Sequence, residues 1–262
     1  MFIDSHCHLD KLDLDLFDGQ FANVIAHAKA AQVERMLCIG VTLEEFPAMQ
    51  ALVADYPEVV ISCGAHPLYI AQHELAREQL LSYAKQTNVV AIGETGLDYY
   101  YAAENKAQQQ ESFRYHVEVA CQVAKPLIIH TRDAQHDTLA ILRDGGAQRC
   151  GGVLHCFTES LEMAEQAIEQ LGFYISFSGI ASFANAKALR EVVKALPLER
   201  LLIETDSPWL APVPHRGKPN QPAYVADVAR CIAEVKGLSV EQVAAQTKAN
   251  FYQLFSHARP LD

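Results

Sequence analysis

The sequence predicts an α/β protein that folds as a closed (β/α)8 TIM barrel. About eight short apolar segments alternate with longer segments of helical periodicity along the 262 residues. Most of the apolar segments lack polar alternation, which indicates strands that are buried on both faces and therefore pair in parallel. A count near eight in about 250 residues favours a closed barrel, and an open doubly wound sheet is the alternative.

The predicted strands and helices follow one another without a long linker or a sequence repeat. Strands are predicted at residues 1–8, 35–40, 59–64, 89–93, 126–130, 152–155, 173–177 and 201–204. Helices are predicted at residues 21–31, 44–56, 75–86, 104–124, 133–142, 161–171, 185–196, 222–236 and 240–255. Residues 12–19 form an acidic loop, and Ser239 is expected to cap the last helix. We therefore interpret residues 1–262 as a single domain.

The composition is that of an ordinary globular protein, with 50% hydrophobic and 20% charged residues. No apolar run reaches the roughly 18 residues that span a bilayer, and no basic segment precedes an apolar one as in a secretory signal. The seven cysteines are scattered and form no C-x-x-C pair, so neither a disulfide framework nor a thiolate zinc site is indicated. A cytoplasmic location is expected.

The formal net charge of −11 argues against a protein that coats nucleic acid with a broad basic face. It does not exclude an enzyme that meets phosphates through bound metal ions, because such ions can reverse the sign of the local field.

Chemically active side chains follow one predicted strand after another. His6 and His8 end the first strand and share a face because they are two residues apart, whereas Cys7 points away. The later strands lead to His66, Glu94, His130, His155 and Asp206. A lone histidine after a strand is more often an ordinary loop residue than a metal ligand. A barrel, however, brings all these strand ends to one mouth, and their joint placement predicts a metal site.

The residue types indicate how such a site would work. Four imidazoles and two carboxylates suit a borderline or moderately hard divalent ion. Six ligands exceed the need of one open catalytic zinc but fit two ions about 3.5–4 Å apart that share a carboxylate, for which Glu94 is the natural bridge. Water bound there would ionise near neutral pH and act as a hydrolytic nucleophile, and Asp206 could accept its proton.

Five segments resemble the signature blocks of the TatD family of metal-dependent deoxyribonucleases, which belongs to the amidohydrolase-like barrels. These segments are residues 4–10, 93–100, 126–132, 155–157 and 204–208. The resemblance covers essentially the whole chain in order. It implies a TIM barrel, two divalent metal ions (magnesium, manganese or zinc) and hydrolysis of phosphodiester bonds in DNA, with 3′-5′ exonuclease action on single strands as one form.

The resemblance also implies roles for individual residues. His6, His8, Glu94 and Asp206 would hold one ion, and Glu94, His130 and His155 the other. His66 would lie beside the scissile phosphate, so that Glu94, Asp206 and His66 are the candidate catalytic residues. Related amidohydrolases often bridge their metals with a carboxylated lysine, and a glutamate at the strand-four position favours the nuclease branch.

Several neighbouring residues have two interpretations each. Arg132 would clamp a phosphate oxygen together with His66, or form a surface ion pair. Tyr99, Tyr100 and Tyr101 would stack bases or pack over the rim. The proline-rich loop 212–222 would guide a nucleic-acid backbone or act as a plain lid. Asp98 would orient a ligand histidine or cap the next helix. Cys156 should point away from His155 as a buried thiol.

Three hypotheses about function follow. The preferred one is a metal-dependent hydrolase that cleaves DNA, with single-stranded DNA as its partner and no membrane or obligate protein partner. The second keeps the metal centre but assigns a small-molecule substrate, as in an amidohydrolase or lactonase, and is motivated by the acidic charge. The third is a metal-binding protein without catalysis, which the complete ligand set disfavours.

Overall fold

The predicted barrel is confirmed by a computed structural model, which describes residues 1–70 and 76–258. Within these residues, eight strands form one parallel sheet in sequential order, and every strand pairs with the next. The strands are β1 Phe2–Cys7, β2 Val33–Cys38, β3 Val59–Cys63, β4 Val89–Asp98, β5 Leu127–Arg132, β6 Gly152–Leu154, β7 Tyr174–Phe177 and β8 Leu201–Ile203.

Helices alternate with the strands, as predicted, and two close the chain. They are α1 Phe21–Ala30, α2 Phe46–Val53, α3 Arg77–Ala84, α4 Lys106–Val123, α5 Gln135–Asp144, α6 Leu161–Leu171, α7 Lys187–Ala195, α8 Val225–Lys236 and α9 Val240–Leu254. The predicted start of α3 at Leu75 lies outside the described residues. Among the helices that are described, none combines the length and apolar character needed to cross a bilayer.

Helix ends follow the local chemistry of the sequence. The side chain of Ser239 accepts a hydrogen bond from the Gln242 backbone, and the Gln242 side chain accepts one from the Ser239 backbone, so the predicted cap of α9 is confirmed. α6 ends at Gly172, which adopts the left-handed conformation that glycine tolerates best. α8 begins three residues later than predicted because Pro222–Tyr224 forms a separate 3-10 turn.

The sheet is closed by contacts between β1 and the segment that follows β8. The Asp206 N–H donates to the His6 carbonyl at 2.9 Å, and the His8 N–H donates to the Ser207 carbonyl at 2.8 Å. Beside them, the buried Asp4 carboxylate accepts from the Thr205 N–H at 2.9 Å and from the Thr205 hydroxyl at 2.6 Å. These bonds form the β1–β8 seam, which joins the two ends of the sheet.

The core has two layers. An inner cluster fills the barrel with strand side chains such as Leu37, Ile128 and Leu202, and Phe251 and Phe255 of the α9 region join it. An outer cluster of aliphatic and aromatic residues packs the helices against the outside of the strands. Burial of both faces explains the continuous apolar composition of the strands.

β4 differs from its prediction in a way that matters for the site. The sequence places its end at Gly93, before Glu94, but the strand continues to Asp98 and pairs with β5 through Gly96 and Leu97. The register of this pairing shifts between Ile92 and Thr95, and Glu94 lies in the shift. The prediction of a strand end was wrong because a polar residue in mid-strand looks like a loop residue in the sequence.

Candidate metal centre

All six predicted ligands and His66 converge on the mouth of the barrel. Glu94 lies at the centre, and its two carboxylate oxygens face different groups. Oε2 is 3.4 Å from His6 Nε2 and 3.8 Å from His8 Nε2. Oε1 is 2.8 Å from His155 Nε2 and 3.5 Å from His130 Nδ1. The carboxylate thus connects two sets of potential ligands.

Asp206 completes the set on the Oε2 side of Glu94. Its Oδ1 is 3.4 Å from His8 Nε2 and 3.7 Å from His6 Nε2, and the two Nε2 atoms are 3.2 Å apart. One potential ligand atom from each of His6, His8 and Asp206 lies within 4.8 Å of the others. Nitrogen and carboxylate atoms that point at a common centre in this way can hold a divalent cation.

His66 approaches Glu94 from the other side. Its Nε2 is 3.1 Å from Glu94 Oε1, and His66, Glu94 and His130 form a second group with mutual distances within 4.8 Å. The Nδ1 atom of His66 accepts a hydrogen bond from the Leu68 N–H at 3.2 Å, so the ring proton is on Nε2. His66 therefore presents an N–H donor to the centre.

A register shift in β1 directs the two histidines of this strand inward. Ile3 belongs to the inner cluster, yet Cys7, four residues later, belongs to the outer one. The pairing of β1 with β2 shifts between Asp4 and Cys7, and such a shift exchanges the faces to which side chains point. His6 and His8 consequently face the barrel mouth, and the prediction that Cys7 points away from them is confirmed.

The electrostatics of the centre favour charged carboxylates. Burial opposes the charge on Glu94, but the imidazoles of His155 and His66 and a bond from His130 hold the pKa of this carboxyl well below its usual range. Burial likewise opposes the charge on Asp206, and the bond from His8 lowers its pKa. Both carboxylates are therefore ionised at neutral pH and available to a cation.

The protonation of His155 is set by the same carboxylates. Burial alone would lower the pKa of His155, but Glu94 and Glu204 together raise it well above its usual value. Burial and the neighbouring His155 lower the pKa of His6. A cation that bound between these groups would displace the proton on His155, because a ligand imidazole must be neutral at the coordinating nitrogen.

Asp98 supports His130 from outside the centre. Its Oδ2 is 2.9 Å from His130 Nε2, while its Oδ1 accepts from the N–H groups of Tyr100 and Tyr101 at 3.0 and 2.8 Å. It does not cap α4, which begins at Lys106. Because the Asp98 contact occupies Nε2, the Nδ1 atom of His130 is the one that faces Glu94, as in the carboxylate–histidine pairs that orient metal ligands.

We expect Asp98→Asn to weaken metal binding by about 10- to 100-fold, the usual cost of losing a carboxylate partner of a ligand histidine. Asparagine keeps the shape of Asp98 but removes the charge that, against the effect of burial, raises the pKa of His130. Metal affinity would be measured by competition with a calibrated chelator. Asp137→Asn is a suitable control, since Asp137 bonds the Tyr99 hydroxyl at 2.7 Å away from the centre. Equal affinity in the two variants would contradict the role of Asp98.

Two buried acids near the centre were not among the predicted site residues. Glu204 follows β8 and accepts the Cys156 N–H at 2.7 Å, and its Oε1 is 3.3 Å from His155 Nδ1. Burial raises the pKa of Asp4 to about 8, although the Thr205 donors oppose this. The signal for Glu204 was its place directly after β8 and two residues before the predicted ligand Asp206.

The centre opens into a cavity of about 310 Å³ at the C-terminal mouth of the barrel. Its lining includes Arg132, Cys156 and Trp209. The guanidinium of Arg132 lies over the rings of Tyr100 and Tyr101, at 4.6 and 5.3 Å from their centroids. The Cys156 Sγ lies 3.2 Å from the Ser178 hydroxyl oxygen, and burial raises the pKa of this thiol, as expected for a buried cysteine, although the residue as a whole is partly exposed at the cavity.

Two basic side chains of the proline-rich loop 212–222 lie away from the cavity. His215 stacks on Tyr224 with centroids 3.6 Å apart and lies 3.2 Å from Asp227. The Arg216 guanidinium is 3.6 Å from the centroid of the Phe183 ring. Neither residue lines the cavity. His215 and Arg216 thus pack against neighbouring parts of the protein, which favours a structural role for the loop over guidance of a nucleic-acid backbone.

Residues 3–256 match the protein-family model described as TatD related DNase. The chain belongs to the TatD family. It is 52% identical over 253 residues to the uncharacterized metal-dependent hydrolase YcfH of Escherichia coli K12, with 97% of this chain and 95% of that protein covered. It is 33% identical over 254 residues to the 3′-5′ ssDNA/RNA exonuclease TatD of Klebsiella pneumoniae, covering 93% and 96% of the two chains.

Solved structures of the family agree with the fold. The crystal structure of YJJV, a TatD homolog from Escherichia coli, superposes with a TM-score of 0.90 at 30% identity and covers 97% of this chain and 98% of its own. The family and the barrel predicted from the sequence are therefore confirmed. The TatD-family chain is a metal-dependent hydrolase, with clusters of histidine and carboxylate side chains able to hold metal.

Proposed function

We propose that this TatD-family hydrolase cleaves phosphodiester bonds in single-stranded DNA and removes nucleotides from the 3′ end. The observation that carries the proposal is the central Glu94, whose two oxygens each face a separate ligand set. Two-metal sites of this kind recur in enzymes that hydrolyse phosphate esters. The Klebsiella pneumoniae relative named as a 3′-5′ ssDNA/RNA exonuclease supports the same substrate class.

The donor set fits two divalent ions. His6, His8, Glu94 and Asp206 would hold one, and Glu94, His130 and His155 the other, with magnesium, manganese and zinc all compatible with mixed nitrogen and oxygen ligands. Such ions would supply Lewis acidity toward phosphate oxygens and a water that ionises near neutral pH. The protein holds their ligands in place through strand register and through Asp98.

Asp206 is the residue that we propose as proton acceptor. It is ionised at neutral pH, for the reasons given above, and its side chain keeps 14% of its surface exposed whereas that of Glu94 keeps 3%. It lines the cavity directly, so an attacking water would be within reach of its carboxylate. A carboxylate in this position can take the proton released when water attacks phosphorus.

His66 and Arg132 are proposed to bind the phosphate. Burial lowers the pKa of His66, so the ring is neutral and offers its Nε2–H as a donor beside Glu94. The turn before it is fixed because the Ala65 N–H donates to His116 Nε2 at 3.0 Å. The exposed guanidinium of Arg132, which lines the same cavity, can add a charge-assisted bond to a phosphate oxygen.

We also propose that residues 1–262 act as one domain in the cytoplasm. Every described strand belongs to the one sheet, and the described helices pack around it. The seven cysteines are all free thiols, which supports a reducing compartment.

The test is cleavage of a 5′-labelled single-stranded oligonucleotide by metal-loaded protein. We expect a ladder of products that shortens from the 3′ end, no cleavage after metal removal with a chelator, and recovery with magnesium or manganese. A matched RNA strand and a blunt duplex complete the panel. Absence of cleavage of all three nucleic acids, with metal shown to be bound, would overturn the proposal.

A small-molecule substrate is the second candidate, and the size of the cavity favours it. At about 310 Å³, the cavity lies at the lower end of the range for small-ligand pockets, and Val41, Leu68 and Ile180 contribute apolar side chains to its lining. Turnover of lactones or cyclic amides by protein that leaves nucleic acids intact would favour this candidate.

A further inference from the structure

Trp209 is a large apolar side chain left exposed at the mouth of the metal centre. It is the chain's one tryptophan, and half of its surface, 50%, is accessible to solvent. It lies three residues after Asp206 and lines the same cavity as His66 and Arg132. Single exposed apolar residues are common on protein surfaces, but this one lies at the mouth of a polar centre, where an indole can contact a bound planar group.

The backbone of Trp209 is fixed by a buried asparagine. The Asn220 side chain, which is 1% exposed, donates to the Trp209 carbonyl at 2.6 Å and to the Thr205 carbonyl at 2.8 Å. The Trp209 N–H in turn donates to the Asp206 carbonyl at 3.0 Å. The backbone that carries the indole is therefore held in place relative to Asp206 before any ligand arrives.

The indole ring also contacts a residue of the centre. The rings of Trp209 and His8 meet edge to face, with centroids 5.1 Å apart and planes at 66°. This contact supports the indole against the ligand cluster, while the exposed half of its surface is left for another planar group. A group stacked there would lie next to anything bound between His8 and Asp206.

The three tyrosines that the sequence suggested for base stacking each contact another side chain of the protein. The Tyr99 hydroxyl is bonded to Asp137 and to Gln110, both at 2.7 Å. The Arg132 guanidinium lies over the rings of Tyr100 and Tyr101, at 4.6 and 5.3 Å from their centroids, although both side chains keep more than half of their surface exposed, 58% and 63%. Trp209 differs from them because its half-exposed ring contacts His8, a residue of the centre itself.

We propose that Trp209 stacks on the nucleobase adjacent to the scissile phosphate and so selects an unpaired base. The inference rests on the proposed nuclease function and adds the residue that recognises the base. Stacking on an indole is open to every base, which makes cleavage independent of sequence. A base within a duplex is already stacked and paired, so it is not available to a side chain at the mouth.

The first test uses intrinsic fluorescence, because the tryptophan emission of this chain comes from Trp209. Metal-loaded protein is titrated with a single-stranded oligonucleotide whose 3′-terminal linkage is a phosphorothioate to slow cleavage. We expect saturable quenching with this probe and little quenching with the same strand ending in an abasic residue. Equal quenching by both probes, or none by either, overturns the proposal.

The second test compares Trp209→Phe with Trp209→Leu in the cleavage assay. Phenylalanine keeps a flat ring, whereas leucine keeps apolar volume without one. We expect leucine to raise the KM for single-stranded DNA about 5- to 150-fold, the range for loss of one base stack, and phenylalanine to raise it far less. Both variants should keep the metal content of the wild type, measured by elemental analysis, if the centre itself is intact.

The outcomes separate this inference from the function on which it rests. Wild-type protein that cleaves DNA while Trp209→Leu has an unchanged KM overturns the role of Trp209 and leaves the nuclease proposal standing. Wild-type protein that cleaves no nucleic acid and shows no quenching overturns both. Equal rises in KM in the phenylalanine and leucine variants, or loss of bound metal in either, would show that Trp209 supports His8 and does not recognise a base.

Discussion

Glu94→Gln should lower kcat by more than about 100-fold with any phosphodiester substrate and should also deplete the protein of bound metal. Loss of a side chain that only supports a metal ligand typically lowers metal affinity or activity about 10- to 100-fold. Glu94 should matter more, because its carboxylate faces both sets of potential ligands. Glutamine retains the size of glutamate but has no negative charge and one oxygen in place of two. Steady-state cleavage and elemental analysis of the purified variant would measure the two losses.

A matched control for this variant is Glu159→Gln. Glu159 accepts a bond from the Asp133 N–H at 3.3 Å, near Arg132 but outside the ligand clusters. The Glu159→Gln variant should keep its bound metal and most of its activity. A loss of metal and activity in Glu94→Gln then cannot be assigned to the removal of one negative charge in general. Retention of full metal content by Glu94→Gln would contradict the bridging role.

Gly96→Ala should destabilise the barrel by about 3 kcal/mol or more and displace His130. Gly96 has φ +135°, a conformation that side chains of L-amino acids rarely adopt, and its added Cβ would lie 2.0 Å from the His130 carbonyl oxygen. Because Gly96 and His130 are register partners in β4 and β5, the clash can be relieved only by separating the strands that carry the centre. Urea unfolding at equilibrium would give the change in free energy.

Gly172→Ala provides the comparison. Gly172 also has positive φ, +69°, but no atom lies within 4 Å of the position that an added Cβ would take, so only the left-handed backbone would cost about 1–2 kcal/mol. The difference between the variants isolates the steric contact of β4 with β5. Similar stability of Gly96→Ala and Gly172→Ala, with unchanged metal content in both, would show that the strands accommodate the methyl group.

The sequence was informative about the barrel because burial on both faces makes its strands continuous apolar runs. It was also informative about the candidate ligands, since His155 comes directly after β6 and His130 lies in the C-terminal half of β5, near the end of the barrel where the site forms. It was less informative about Glu94 and β1. There the side chains reach the mouth through shifts in strand register. Such shifts arise from pairing with a neighbouring strand, so the hydrophobic periodicity of the strand's own sequence does not reveal them.

The residues that surround the centre were harder to anticipate. Glu204 contacts His155, which lies 49 positions earlier in the sequence. The buried Asn220 side chain binds the backbone carbonyl of Trp209, and a contact with the backbone cannot be recognised from residue types. Asp98 was given two interpretations because a carboxylate after a strand can cap a helix or orient a histidine, and only the position of His130 decides between them. Long-range contacts of this kind depend on the folded arrangement of the strands.

The β1–β8 seam has a consequence for when the centre can form during synthesis. The bond from the Asp206 N–H to the His6 carbonyl spans 200 positions, so the earliest and one of the latest ligands become neighbours only when the eighth strand docks. A ribosome-bound chain that ends before Asp206 would carry His6, His8 and Glu94 but lack the second carboxylate of their set. Capture of metal would then report on the last step of folding, and pulse-labelled chains of increasing length would show it as an abrupt gain.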